Sequence, residues 1–170
     1  MNVLPGTDAL WAPRAEGENT FSTHANWSTG TTPVSGDVAV TDGGSETEVA
    51  VMLSDAQGYG QVTVAQNAKI VFVGAGGLLN ASKLVLSEGA TVTIPLEAVS
   101  VSAVEVRAGA TLIVTSDDEA ERAFGAVVSG TGRVIYGRGK INATACSTYT
   151  GGTTIRPDDR RTTRALLSTR

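Results

Sequence analysis

With 170 residues the chain has the length of one ordinary domain, and at 41% hydrophobic it carries enough apolar side chain to bury a core. Only 18% of the residues are charged and 5% are aromatic, 20 are glycine, and the formal net charge is -4. That balance excludes a basic nucleic-acid surface and a wholly disordered chain, and it favours strands joined by tight turns.

The first 45 residues read as an irregular N-terminal segment and cap, polar throughout but punctuated by Trp11, Phe21 and Trp27. Met1 to Glu16 lacks the basic start and apolar run of a secretion signal. Asp37 to Asp42 predicts a short strand with Val38 and Val40 on one face, stopped by Gly43 and Gly44, and Glu46 to Leu53 predicts another. The best helical stretch, Asp117 to Phe124, is too short to stand alone. No run approaches the length of a membrane span.

The middle of the chain repeats. Val62 to Phe72, Leu84 to Ile94 and Val104 to Val114 begin at residues 62, 84 and 104, spacings of 22 and 20 residues. Aligned, they give columns of like residues: Val62/Leu84/Val104, Val64/Leu86/Val106, Ala68/Ala90/Ala110, Ile70/Val92/Leu112 and Phe72/Ile94/Val114. A further column, Asn67/Gly89/Gly109, places at one corner the two residue types that best tolerate positive φ. Two all-β architectures satisfy this pattern. Each unit is one coil of a single-stranded parallel β-solenoid, or each is an antiparallel hairpin of a β-sandwich in which Val64 faces Ala68 and Val62 faces Ile70. Column identity over three consecutive units favours the solenoid, with coils over residues 46–155.

Downstream, Val128 to Gly132 carries a Gly-x-Gly turn at Gly130 and Gly132, another follows at Gly137 and Gly139, and Ser147-Thr148-Tyr149-Thr150-Gly151-Gly152-Thr153-Thr154-Ile155 closes the pattern. This run resembles the autotransporter-associated β-strand repeat, the passenger-associated repeat of autotransporters, at every position from Thr148 to Ile155. Asn26-Trp27-Ser28 and Ser35-Gly36-Asp37 extend the likeness more loosely, over roughly residues 22 to 155. The resemblance implies a right-handed parallel β-helix, exported to the bacterial cell surface and carried by a separate outer-membrane barrel. It departs from the family at Asn142 to Cys146, where the apolar alternation is short. It stops after Ile155, where residues 156–170 turn to Pro157, Asp158, Asp159 and five arginines. That stretch is expected to be an irregular, disordered tail, the mark of a shifted reading frame or a degraded gene.

The candidate chemistry is sparse. Cys146, the only cysteine, excludes an internal disulfide and reads as a small half-buried apolar residue. His24, the only histidine, sits in the polar stretch Phe21 to Asn26 with no nucleophile turn beside it. Asp117, Asp118, Glu119 and Glu121 with Arg122 form the one compact acidic group and read as a solvated loop rather than a paired acid and base. Trp11, Trp27 and Tyr149 suit capping and filling a solenoid better than stacking on sugars. Asn26, Asn80 and Asn142 begin glycosylation-type triplets of the kind a Ser/Thr-rich chain produces by chance. The expectation is therefore a non-enzymatic structural and display segment with no catalytic, cofactor-binding or metal-binding residues and no nucleic-acid partner. Its partners would be a host or neighbouring-cell surface, a glycan or itself. The alternative is a glycan-binding or glycan-processing β-helix.

Overall fold

The computed structural model describes residues 9–13, 19–44, 48–117 and 120–156. The tail expected over residues 156–170, apart from Arg156, the start of the strand expected from Glu46, and Asp118 and Glu119 lie outside the described residues. The described strands begin with β1 (Ala9–Trp11), β2 (Asp37–Val40), β3 (Val49–Leu53), β4 (Ala56–Val64) and β5 (Lys69–Gly74). The central set is β6 (Leu78–Leu86), β7 (Thr91–Pro95), β8 (Val99–Val106) and β9 (Thr111–Thr115). The chain continues through β10 (Arg122–Phe124), β11 (Val127–Gly130), β12 (Arg133–Tyr136), β13 (Ile141–Ala143) and β14 (Thr153–Ile155).

All strands pair parallel, and from β2 to β9 successive strands alternate between two six-stranded sheets, β1-β2-β4-β6-β8-β11 and β14-β12-β9-β7-β5-β3, while β10 and β13 form a separate pair. This is a parallel β-helix of about five turns. The hairpin alternative fails because Val62 and Val64 pair with Leu84 and Leu86 of the next coil instead of folding back on Ala68 and Ile70. The columns become ladders: Val38–Val62–Leu84–Val104–Val128 and Val40–Val64–Leu86–Val106 in the first sheet, Val49–Ile70–Val92–Leu112–Val134 in the second. Every member is buried, Val49 at 8% exposure being the least so. Each fully buried Val, Leu or Ile is worth roughly 1.5–3 kcal/mol over its exposed state, so the ladders are the main source of stability.

The corner between the sheets follows from the glycine column. Asn67, Gly89 and Gly109 take φ of 59°, 73° and 70°. Just after each, Ala68, Ala90 and Ala110 close a tight turn by donating to the carbonyls of Ala65, Ser87 and Arg107 at 3.0–3.1 Å. Their methyls are buried, where a larger side chain has no room.

A second corner lies inside the long strands. In β4 the buried positions are Tyr59, Val62 and Val64, and in β6 Leu79, Ala81, Leu84, Val85 and Leu86. Strict alternation would bury every second residue, so the three-residue step from 59 to 62 and from 81 to 84 marks a bend. Each coil thus has a third face, where Tyr59, Ala81 and Val101 are in register.

Both ends differ from the simple repeat. The stretch expected to be the best helix contains β10, paired with β13, and Phe124 packs edge-on against Tyr136 at 6.4 Å. The strand expected over Asp37 to Asp42 ends at Val40, because Asp42 turns back to accept from the Gly44 and Lys69 amides at 2.9 and 3.1 Å. β1 and β2 lie within the first 45 residues and continue the first sheet. Within that segment residues 19–28 cross the N-terminal end. Residues 26–28 lie along β1 through Ala12 N–H to Asn26 O at 2.9 Å and Ser28 N–H to Leu10 O at 2.8 Å. Residues 19–21 lie along β3 through Met52 N–H to Asn19 O and Phe21 N–H to Met52 O, both 2.8 Å.

Candidate functional site

His24 sits on a single 3-10 turn (His24–Asn26), exposed, at the rim of a shallow groove of about 500 Å³ shared with Ser22, Pro33 and Asp55. Cys146 is exposed, not half-buried as its type suggests. Its stretch is extended, with Ser147 and Tyr149 the less exposed positions, so residue 146 falls on the outward phase. No three His, Cys, Asp or Glu side chains gather to hold a metal ion among the described residues.

The acidic group disperses. Glu121 accepts from Asn142 Nδ2 at 3.3 Å on the coil below. Asp117 pairs instead with Arg138, both side chains largely exposed, and its backbone amide donates to Glu97. Glu97 also accepts from Ser116 Oγ at 2.6 Å. Glu97, Asp117 and Arg138 therefore occupy neighbouring turns of three successive coils, since Leu96 N–H donates to Thr115 O and Ser116 N–H to Arg138 O. They border a groove of about 290 Å³ floored by Val71, Val73 and Thr93. The two carboxylates each engage a donor from the next turn, which fixes them as clasps between coils. Sequence reasoning missed Glu97 and Arg138 because their column mixes residue types and so shows no repeat.

The aromatic residues lie inside. Trp11, Phe21 and Trp27 are buried at 0–2% exposure, and Phe21 packs edge-on against Trp27, Tyr59 and Phe72 at centroid distances of 5.0–6.3 Å. Trp27 Nε1 donates to Phe21 O at 2.8 Å. Neither indole face is open to a sugar. Tyr149 is half-buried against the core and bonded to Thr153. Asn26 is buried, which removes it as a glycosylation acceptor; Asn80 is exposed.

The outer surface carries two further features. Lys83 and Arg107 both engage Glu105, at 2.8 and 2.9 Å, across two coils. Hydrogen bonds from Lys83 and then Arg107 hold the Glu105 carboxyl below the usual carboxylate range. At the inner-strand corner, Gly58, Asn80 and Ser100 are in register beside Gly60, Ser82 and Ser102, lining a shallow polar groove of about 470 Å³.

Comparison with known protein families, with curated proteins and with solved structures gives no match. The geometry itself is that of a stack. Its polar groups bridge coil to coil along the surface, and its apolar groups do so along the interior.

Proposed function

We propose that the chain is a non-catalytic stalk segment of a bacterial autotransporter-type passenger. It acts as a stiff rod that holds other passenger regions away from the cell and supports adhesion or self-association. The observation that carries this reading is the uninterrupted stack, in which interior ladders run from Val38 to Val128 and from Val49 to Val134 without a break. Such a rod draws its rigidity from stacking and coil-to-coil hydrogen bonds and needs no cofactor.

The Thr148 to Ile155 run has a physical role that fits the repeat it resembles. Thr148 and Thr150 donate to Val128 O and Gly130 O at 2.8 and 3.0 Å, extending the first sheet, and β14 extends the second. Between them Gly151 lies against the Gly132 carbonyl, where a Cβ would overlap it, and Gly152 takes φ of 96°. The motif is one strand, corner and strand of a coil, with both glycines set by the corner.

The test places this chain between an export signal and an outer-membrane barrel. A stalk segment reaches the cell surface folded and resists added protease while the barrel's own loops are cut. Retention inside the cell, or surface chain degraded as fast as an unfolded passenger, counts against the reading. So does depolymerisation of a polysaccharide by the purified chain that Asp117→Asn abolishes.

A further inference from the structure

We propose that the C-terminal end of the stack is a self-docking surface, covered by a second copy of this chain about a two-fold axis to give a closed tail-to-tail dimer. This goes beyond the stalk reading and does not depend on it.

The two ends are built differently. At the N-terminal end the outer edges of β1 and β3 are both hydrogen-bonded, by residues 26–28 and 19–21, and the interior is plugged by Trp11, Phe21 and Trp27. At the other end β14 is the last strand of its sheet. Gly152 O accepts from Val134 N–H at 3.0 Å and Arg156 N–H donates to Tyr136 O at 2.9 Å, so these residues face β12. Strand alternation then turns the N–H and C=O groups of Thr153 and Ile155 to the opposite edge, where no strand among the described residues pairs with them. Ile155 follows Tyr136 on an inward ladder position, yet it is 42% exposed because nothing described lies above it.

The composition of this end favours like meeting like. Residues 141–155 hold no Lys, Arg, Asp, Glu or Pro, the residues with which sheet edges are ordinarily protected against pairing. A two-fold axis normal to the sheet at Thr154 sets Thr153 of one copy opposite Ile155 of the other. Their free N–H and C=O groups then meet as antiparallel hydrogen-bonded pairs. The same axis crosses the coil to the corner opposite β14. There Cys146 lies exposed between β13 and the stretch that extends the first sheet, so the two thiols approach each other. Because residues 26–28 and 19–21 already occupy the edges of β1 and β3, the β14 edge is offered no matching strand at the N-terminal end among the described residues, and assembly is expected to close at two.

The contact is small and of the weak class, so it is read at about 100 μM chain in reducing buffer by sedimentation velocity. The full chain is expected to show a monomer–dimer equilibrium with nothing larger. In the backbone Thr153→Pro removes only an outward N–H, a position proline tolerates on an edge strand, and it also deletes the Thr153 hydroxyl that bonds Tyr149. It should leave the circular dichroism unchanged and the melting lower by only a few degrees while weakening the dimer about tenfold or more. Diamide, which takes up the two thiol hydrogens as the disulfide forms, should link Cys146 to Cys146 about tenfold faster in the parent than in Thr153→Pro. If Thr153→Pro fails to fold, Thr154→Lys serves instead, because Thr154 is exposed and its introduced lysines would meet at the axis. A full chain that stays monomeric at that concentration overturns the proposal. So does growth past the dimer, or a dimer that the folded edge variant leaves intact.

Discussion

Leu86 lies between Val64 and Val106 on an interior ladder and has no exposed surface. Leu86→Asp would place a carboxylate among aliphatic groups with no donor in reach, and the expected loss is about 4 kcal/mol or more in equilibrium denaturation. A loss under about 1 kcal/mol would contradict the burial of this position. The corner column offers a finer experiment. Gly89 takes positive φ, and a Cβ there would also fall on Asn67 Oδ1 from the coil above. Gly89→Ala should therefore cost the left-handed penalty of about 1–2 kcal/mol plus a contribution from crowding. Asn67→Gly alone should change stability by only a few tenths of a kcal/mol, since both residues accept this φ. Added to Gly89→Ala, it should recover the crowding part and leave the backbone part. Additive single effects in urea denaturation would show that the two side chains do not meet.

Among the elements, the strands with a repeated column were legible and the rest were not, for reasons visible in particular residues. Val62, Leu84 and Val104 resemble one another because each faces the same kind of interior from successive coils. Tyr59, Ala81 and Val101 share a face equally well but differ in size, because Tyr59 also reaches the aromatic plug, 6.0 Å from Phe21. The third face was therefore hidden. β1 escaped notice because Ala9–Trp11 is short and its partner is β2, 29 residues away in the register Ala9↔Val38. The surface clasps were illegible because Glu97, Asp117 and Arg138 have complementary chemistry, which leaves no likeness to align.

The buried tyrosines make the elements they belong to sensitive to alkali. Burial pushes the Tyr59 and Tyr136 hydroxyls up to about 12, with the nearby Tyr149 adding to the effect at Tyr136. Below pH 10 both residues are neutral in the folded and unfolded chain, and no penalty arises. Above it the unfolded chain ionises first, so stability should fall as pH rises from 10 to 12, by on the order of 2 kcal/mol per tyrosine at most. Tyr59→Phe and Tyr136→Phe should each flatten that slope, read as the urea midpoint against pH. An unchanged slope in both would mean that the hydroxyls are solvated.

At the scale of the whole molecule each coil touches only its neighbours, so the solenoid should tolerate loss of a complete coil. Deleting residues 84–103 joins Lys83 to Val104, which holds the register position of Leu84 one coil on. The shortened chain is expected to fold with the same circular dichroism and with a denaturant m-value lower by roughly a tenth. Deleting ten residues instead should unfold it, because half a coil is lost and every following strand would arrive at the other sheet, out of step with its corner. The parallel pairing has a mechanical corollary. All the hydrogen bonds between coils run along the long axis, so tension applied across the ends pulls them open one row at a time instead of shearing many together. In a force spectrometer the chain should lengthen in a sawtooth at low force. Each tooth should release one coil of about 20 residues, on the order of 70 Å of contour. One abrupt release of the whole length would show that the coils fail together.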